Sequence, residues 1–274
     1  MKKTVCLLAA LTLSLTTLSC GQLNERIAIR EGNEAYEAEQ YAVALKKYQE
    51  ARAIDASDFP ELDRLIGYSY IGLYNPDDES PQNQKLADAA ITELQRYLVK
   101  RPDDTAAREA MVNLMLNADR TAQAIDYFKT YLRRHPADLS TVRSIATLYA
   151  KQGDFNESLN WYYKITLLDA KNPEAFYTFG VVCYEKVAKN PPASEQEKFM
   201  IIERGKSALE QAMKLRKDYF EAVVYLNLLY REQAKATVDP EQQQLLLARA
   251  DQLRNQAVAI SKARKAAEEA AAKK

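Results

Sequence analysis

Three residue pairs in this chain recur at a single spacing of 34 residues: Ala90 with Ala124, Pro102 with Pro136, and Phe128 with Tyr162. A period of that length, with a small residue, an aromatic and a proline at set offsets, fits a unit of two short helices and a turn repeated in series. Such a unit cannot bury its own apolar face, so it must stack on copies of itself. With Leu139 as position 1, Ile145, Ala146, Tyr149, Gly153, Phe155, Ser158, Tyr162 and Ile165 fall at positions 7, 8, 11, 15, 17, 20, 24 and 27. One repeat upstream the same positions hold Met111, Val112, Met115, Asp119, Thr121, Ala124, Phe128 and Tyr131, followed by Pro136 at position 32. Apolar residues return every three or four places within each half, which gives each helix one apolar stripe. Small residues at positions 8 and 20 let the two helices of a hairpin approach closely.

This pattern resembles the tetratricopeptide repeat family, and it extends through most of the chain. Gly32, Tyr41, Ala44, Tyr48 and Ala51 take positions 8, 17, 20, 24 and 27 of a first repeat from Glu25. A second opens at Pro60 with Ile66, Gly67 and Tyr70 and resumes at Ala90, Leu94, Tyr97 and Pro102. A fifth opens at Pro173 with Phe176, Phe179, Gly180 and Cys183 and resumes near Gly205, Leu209 and Ala212; a sixth opens at Phe220 with Val223, Leu226 and Tyr230 and resumes near Ala250 and Ala257. The resemblance implies an all-α fold, a right-handed superhelical solenoid of about six helical hairpins over residues 25–260, with an Ala/Lys/Glu-rich helical tail at 261–274. Proline placement agrees. All nine prolines lie between the expected helices or at their first turns, where the missing N–H and the ring do no harm.

Repeats two and six carry 11 extra residues between positions 11 and 20, and repeat five carries 13. Each insert holds a helix start: Ser80-Pro81, Ser194 with Glu197, and Asp239-Pro240. The spacing predicts lengthened second helices in repeats two, five and six, projecting roughly 16 Å beyond the ordinary wall at 1.5 Å per residue.

The N-terminus carries a separate signal. Lys2 and Lys3 precede an apolar stretch from Val5 to Leu15, then Leu18-Ser19-Cys20-Gly21, the pattern of a secretory signal too short to span a membrane. Cys20 resembles the cysteine of bacterial lipoproteins, although Thr17 and Leu18 stand where that family prefers Leu and a small residue. The resemblance implies a signal peptide at 1–19, lipidation of Cys20 and a short linker at 20–24. With Gly21 after the cysteine, it favours the periplasmic face of the outer membrane. Ordinary cleavage before Cys20 also suits Thr17 and Ser19 and would leave a soluble periplasmic protein. With Cys6 in the removed segment and Cys20 lipidated, Cys183 is left alone at position 11, a buried packing position with no disulfide partner.

Charge and motif content narrow the function. The 38 basic and 38 acidic residues balance, which is not a nucleic-acid footprint. The single histidine, His135, precedes Pro136 in a turn, and the sequence has no Cys-x-x-Cys, His-Glu-x-x-His or glycine-rich phosphate loop. Asp77-Asp78-Glu79 and Asp103-Asp104 sit beside helix starts, where solvation and the helix terminus account for them. No catalytic residue, metal site, cofactor or small-molecule substrate is expected.

Function then belongs to surfaces. In tetratricopeptide proteins the first helices line a concave groove with positions 2, 5, 9 and 12 facing it. Here those are Glu174, Tyr177, Val181 and Tyr184 in repeat five and Glu221, Val224, Leu228 and Arg231 in repeat six, with Arg143 from repeat four at the edge. Two tyrosines and three aliphatics on one wall suit an extended or helical apolar peptide. The same residues could equally be core covered by the long second helices. The family's carboxylate clamp needs Asn at position 9 in several repeats, and only Asn33 and Asn113 fit, with Tyr68 between. Tyr127 and Trp161, both at position 23, form a second candidate contact on the convex face, with Tyr163 nearby as an alternative packing edge. The expected protein is an exported, lipid-anchored, non-catalytic scaffold that binds another envelope protein or a peptide segment of one. Alternatives are an assembly factor for outer-membrane proteins or pili, and a cell-wall-processing enzyme or its activator.

Overall fold

The computed structural model describes residues 21–54, 59, 61–192 and 194–272; the expected signal segment, Cys20 and Pro60 lie outside them. Helix α1 covers 21–37. It is followed by α2 (Tyr41–Ile54), α3 (Glu61–Leu73), α4 (Pro81–Lys100), α5 (Thr105–Asn117), α6 (Thr121–Arg134), α7 (Leu139–Lys151), α8 (Phe155–Leu168), α9 (Pro173–Lys189), α10 (Glu195–Leu215), α11 (Phe220–Ala236) and α12 (Pro240–Ala271). There is no strand among the described residues. The all-α architecture of antiparallel helical hairpins expected from the 34-residue period is present. Residues 21–24, read as part of a linker, are helical.

Local chemistry explains where the helices start. The side chains of Asp104, Asp138 and Asp154 accept hydrogen bonds from the backbone N–H groups of Ala107, Thr141 and Glu157 at 2.9, 2.7 and 3.1 Å. Each satisfies one of the donors that a helix N-terminus leaves without an internal partner. Ser80, Ser194 and Asp239 cap α4, α10 and α12 in the same way, as the inserts predicted. The turns inside the three uninserted hairpins share a second device. Glu39, Asp119 and Gly153, all at position 15, take φ of 57°, 58° and 76°. The next residue's N–H then reaches back to the carbonyl at position 11 in each: Gln40 to Ala35, Arg120 to Met115, and Asp154 to Tyr149. This left-handed stop favours glycine, yet the chain uses it only at Gly153, so the turn tolerates the cost of a side chain twice.

The inserts are helical but divided differently from the expectation. The second helices α4, α10 and α12 run 20, 21 and 32 residues, against 14 for α6 and α8. The first helices α9 and α11 also lengthen, to 17 residues from the 13 of α5 and α7. Repeats five and six therefore share the added length between both arms, and repeat two spends part of it in the loop 74–80. An extension of about seven residues adds roughly 10 Å rather than 16. The reason is burial. Val187 and Ile201 near the inner ends of α9 and α10 are 2% and 4% exposed, so each lengthened arm covers apolar surface on its partner.

The chain divides into two compact units, one up to Ala124 and one from Ile125, the boundary falling inside α6. In the first, α3 packs against α2 and α4, and α4 against α5. Its core includes Ala28, Ala44, Tyr48, Ala51, Leu62 and Ile66. In the second, α9 packs against α8, α10 and α11, and α11 against α12. Its core is built on Phe179, Cys183, Ile202, Leu209, Leu226, Leu229 and Leu253. Close approach of the hairpin arms needs small residues at position 8, as expected. A Cβ on Gly180 would lie 2.4 Å from Leu209 Cγ, so the glycine makes room for the large side chain at position 24 of the opposite helix. The expected tail is continuous with α12 through Ala271, and Arg264 within it reaches Glu221 at 3.4 Å and the carbonyl of Asp218 at 3.1 Å.

Candidate binding surfaces

The residues expected to line a groove lie on the first helices α7, α9 and α11 of the second unit, but they do not form one surface. Tyr177 and Tyr184 lie half-buried on α9 and converge on Tyr225 of α11, at ring separations of 5.8 and 5.6 Å with planes 75° and 76° apart. These edge-to-face contacts suit the ring quadrupoles and fix the seam between two successive first helices. Tyr177 also stands 5.2 Å from buried Tyr219. The sequence reading did not single out Tyr225 or Tyr219, because Tyr225 sits at position 6 and Tyr219 precedes the repeat. Arg216 lies 4.2 Å from the Tyr219 ring centre and 2.8 Å from Glu174. The Tyr219 hydroxyl and the Arg216 guanidinium hold the Glu174 carboxyl below its ordinary value. Burial and Glu174 push the Tyr219 hydroxyl up.

The other groove candidates distribute along the wall. Val181 and Leu228 are half-buried on α9 and α11. Val224 faces α12, where it lines a 490 Å³ cleft with Phe220, Asn227, Ala257 and Val258. Arg231 is drawn to α12 as well, with hydrogen bonds of 3.1 Å to Asn227 and 2.8 Å to Asp251. Asn227 in turn donates to the carbonyl of Ala250. Arg143 pairs with Asp169 at 3.1 Å and borders a 230 Å³ hollow shared with Thr147, Glu174 and Thr178. The structure therefore groups Tyr177 and Tyr184 with each other, while Val224 and Arg231 serve the α11–α12 pair. Asn33 accepts a hydrogen bond from the Tyr48 hydroxyl at 2.8 Å, which commits the first of the two clamp-position asparagines to internal structure.

On the second helices, Trp161 donates from its indole to Glu157 at 3.1 Å, and the Lys164 ammonium lies 5.1 Å from its ring. The Tyr127 ring stands 6.0 Å from neighbouring Phe128. Each ring is half-buried and engaged by its own helix. Tyr163 is the outward aromatic on this side, 43% exposed and 5.6 Å from Phe179. Arg204 of α10 covers both rings, at 4.9 and 5.3 Å from their centres. These residues head a cleft of 750 Å³ flanked by α8 and α10 and floored by α9. No sequence periodicity marks Arg204, since its value depends on which rings two other helices bring beneath it.

Cys183 is fully buried, and burial pushes its thiol up to about 12. Asp78 accepts from the backbone and hydroxyl of Ser80 at 2.8 and 3.0 Å, and Asp104 accepts from the Tyr97 hydroxyl at 2.7 Å. Both acidic runs thus act at helix starts. Among the described residues no group of three His, Cys, Asp or Glu is arranged to hold a metal ion, and no helix is long and apolar enough to cross a membrane.

Solved structures similar to this chain share that architecture. A TPR repeats protein from Bacteroides fragilis matches with a TM-score of 0.55 at 17% identity, over 75% of this chain and 97% of that one. The C-terminal part of a TPR repeat-containing protein from Cytophaga hutchinsonii matches with a TM-score of 0.48 at 13% identity, over 85% of this chain and 78% of that one. No family model matches the sequence, and no curated protein does. The chain has the tetratricopeptide-repeat fold, an all-α solenoid of helical hairpins.

Proposed function

We propose that this chain is a non-catalytic interaction scaffold of the bacterial cell envelope, exported, anchored through lipid on Cys20, and engaging a segment of another envelope protein along the first-helix wall of its second unit. The observation that carries the reading is the row of tyrosines along α9 and α11. Tyr177, Tyr184 and Tyr225 are rigid, half-buried and flanked by Val181 and Leu228. Such a surface offers large apolar area at little entropic cost together with hydroxyl groups for an incoming backbone, which suits a peptide or helix. The anchor rests on Lys2, Lys3, the apolar run Val5–Leu15 and Cys20. Within this reading the partner is a component that the scaffold helps assemble, such as an outer-membrane or pilus protein.

A photo-crosslinking residue at position 181, used in native membranes, tests the wall. A discrete adduct that Tyr184→Ala diminishes is expected, and absence of any adduct at 181 or 228 overturns the groove assignment. For the anchor, Cys20→Ser is expected to leave the membrane fraction; if it stays there, lipidation is not what holds the protein.

A further inference from the structure

The cleft between α8 and α10, floored by Phe176 and Phe179 of α9, shares no lining residue with the tyrosine row of α9 and α11. Its head is Arg204, half-buried on α10, with its guanidinium carbon 4.9 Å from the centre of Tyr163 and 5.3 Å from that of Phe179. The two rings stand 5.6 Å apart and tilted by 49°. Aromatic faces hold a guanidinium plane by cation–π attraction and leave its N–H edge open. Five other arginines of this unit, Arg143, Arg216, Arg231, Arg254 and Arg264, each hold a carboxylate of this chain, whereas Arg133 and Arg249 donate to the neutral side chains of Thr130 and Gln252. Arg204 makes neither an ion pair nor a hydrogen bond with any described residue. Glu203 beside it is committed elsewhere, accepting from Lys206 at 2.9 Å and Gln233 at 2.8 Å. A partly desolvated guanidinium with its donors unspent, held in one orientation at the head of a 750 Å³ cleft, is poised for a planar anion.

We propose that this cleft binds a peptide segment presenting a single carboxylate beside an apolar side chain, with Arg204 as the carboxylate anchor. Phe176, Phe179 and Tyr163 supply apolar surface, and Ser207 and Gln211 line the wall where a peptide backbone would run. Charge decides between anions. Arg204 and Lys214 in the cleft are matched by Glu203 and Glu210, so the lining is neutral and disfavours a phosphate dianion or nucleic acid. One carboxylate needs one bidentate arginine, and the cleft supplies it. Its volume falls within the ordinary range of ligand sites, about 300–1,000 Å³. The site and the tyrosine row have separate lining residues, so a scaffold could hold two segments at once.

The test uses full-length protein in detergent micelles with ¹⁵N-labelled arginine, titrated with acetyl-Leu-Glu-Phe amide, with its Gln counterpart, and with inorganic phosphate. The Arg204 Nε–Hε resonance reports binding directly. The Glu peptide is expected to shift it and to bind at least about tenfold more tightly than the Gln peptide, the scale of one charge-assisted hydrogen bond. Arg204→Gln, with helicity checked by circular dichroism, should erase that discrimination. Tyr163→Leu on the exposed rim should weaken the Glu peptide several-fold, and Tyr184→Ala on the other wall should leave it unchanged. Equal affinity for the Glu and Gln peptides, no binding of either at millimolar concentration, or tighter binding of phosphate than of the Glu peptide would each overturn the proposal.

Discussion

The two units are written in the same repeat but held together by different means. In the unit up to Ala124, three successive helices are joined by charge. Arg52 of α2 and Arg96 and Lys100 of α4 surround two nearly buried carboxylates, Asp63 and Glu93, with contacts of 2.7 Å from Arg52 to Glu93, 2.9 Å from Arg96 to Glu93 and 2.9 Å from Lys100 to Asp63. Beside this network one cluster of its core is rich in alanine, while Ile91, Leu94, Met111 and Met115 are buried further along. The unit from Ile125 buries large side chains to a like extent, among them Ile145, Ile202, Leu209 and Leu226, but its inter-helix ion pairs, such as Arg216 with Glu174 and Arg231 with Asp251, lie at the rim between partly exposed groups. Alanines bring helices close but bury little area, and the ion network adds directional contacts across the α2, α3 and α4 interfaces. The difference between the units therefore lies in where their charges sit: nearly buried between three helices in the first, and at the rim in the second, where an arginine and several tyrosines remain available to surfaces.

The largest expected effect lies in the unit from Ile125. Leu209→Ala removes a fully buried side chain seated over Gly180 and should cost about 2–5 kcal/mol. Hydrogen exchange should then lose protection across α9–α12 while the amides around Tyr48 keep theirs. Equal loss in both units would erase the distinction between them. Next comes the network: Glu93→Ala should cost about 1–2 kcal/mol, because the two arginines it satisfies are partly exposed and can turn to water. Added salt should shrink that difference, and a salt-independent loss would mean that Glu93 acts by packing.

A smaller effect concerns one helix cap. Asp104→Ala should cost about 1 kcal/mol, measured by denaturant titration. The Ala107 N–H, and then the Tyr97 hydroxyl, hold the Asp104 carboxyl below its ordinary value. Its stabilisation is therefore present above the usual carboxylate range and is lost as pH falls through the folded value. The variant should show a flatter acid limb than the parent. The smallest perturbation is chemical. The Cys183 thiol, pushed up to about 12, should resist iodoacetamide in the native state and react only as fast as the α9–α11 core opens. A thiol pKa raised by burial acts in the opposite sense to Asp104: the contribution is complete below the ordinary thiol value and fades as pH rises towards 12. Labelling faster than exchange in α9 would show that the thiol has another route to solvent.

Much of this was legible in the residues. The 34-residue period, the caps at Ser80, Asp104, Ser194 and Asp239, the glycine at position 8 and the burial of Cys183 all depend on neighbours within one hairpin, at separations the sequence displays. The division of the inserts was not, because only the packing of α9 on α10 and of α11 on α12 decides which arm of a hairpin gains a turn. The surfaces were partly legible. Tyr177 and Tyr184 follow from their positions, whereas Tyr225 enters from the next repeat at an offset that no groove rule marks.

By itself the sequence determined that this chain must be a stack of helical hairpins and where the capped helices α4, α10 and α12 begin, because periodicity and capping are local physics. Tertiary structure alone decided what the remaining side chains do. Arg231 is spent on Asp251 and Arg143 on Asp169, while Arg204, no different from them in the sequence, rests over Tyr163 and Phe179 with its donors free. A charged side chain is free or committed according to what three separate helices bring within a few ångströms, and that is a property of their packing.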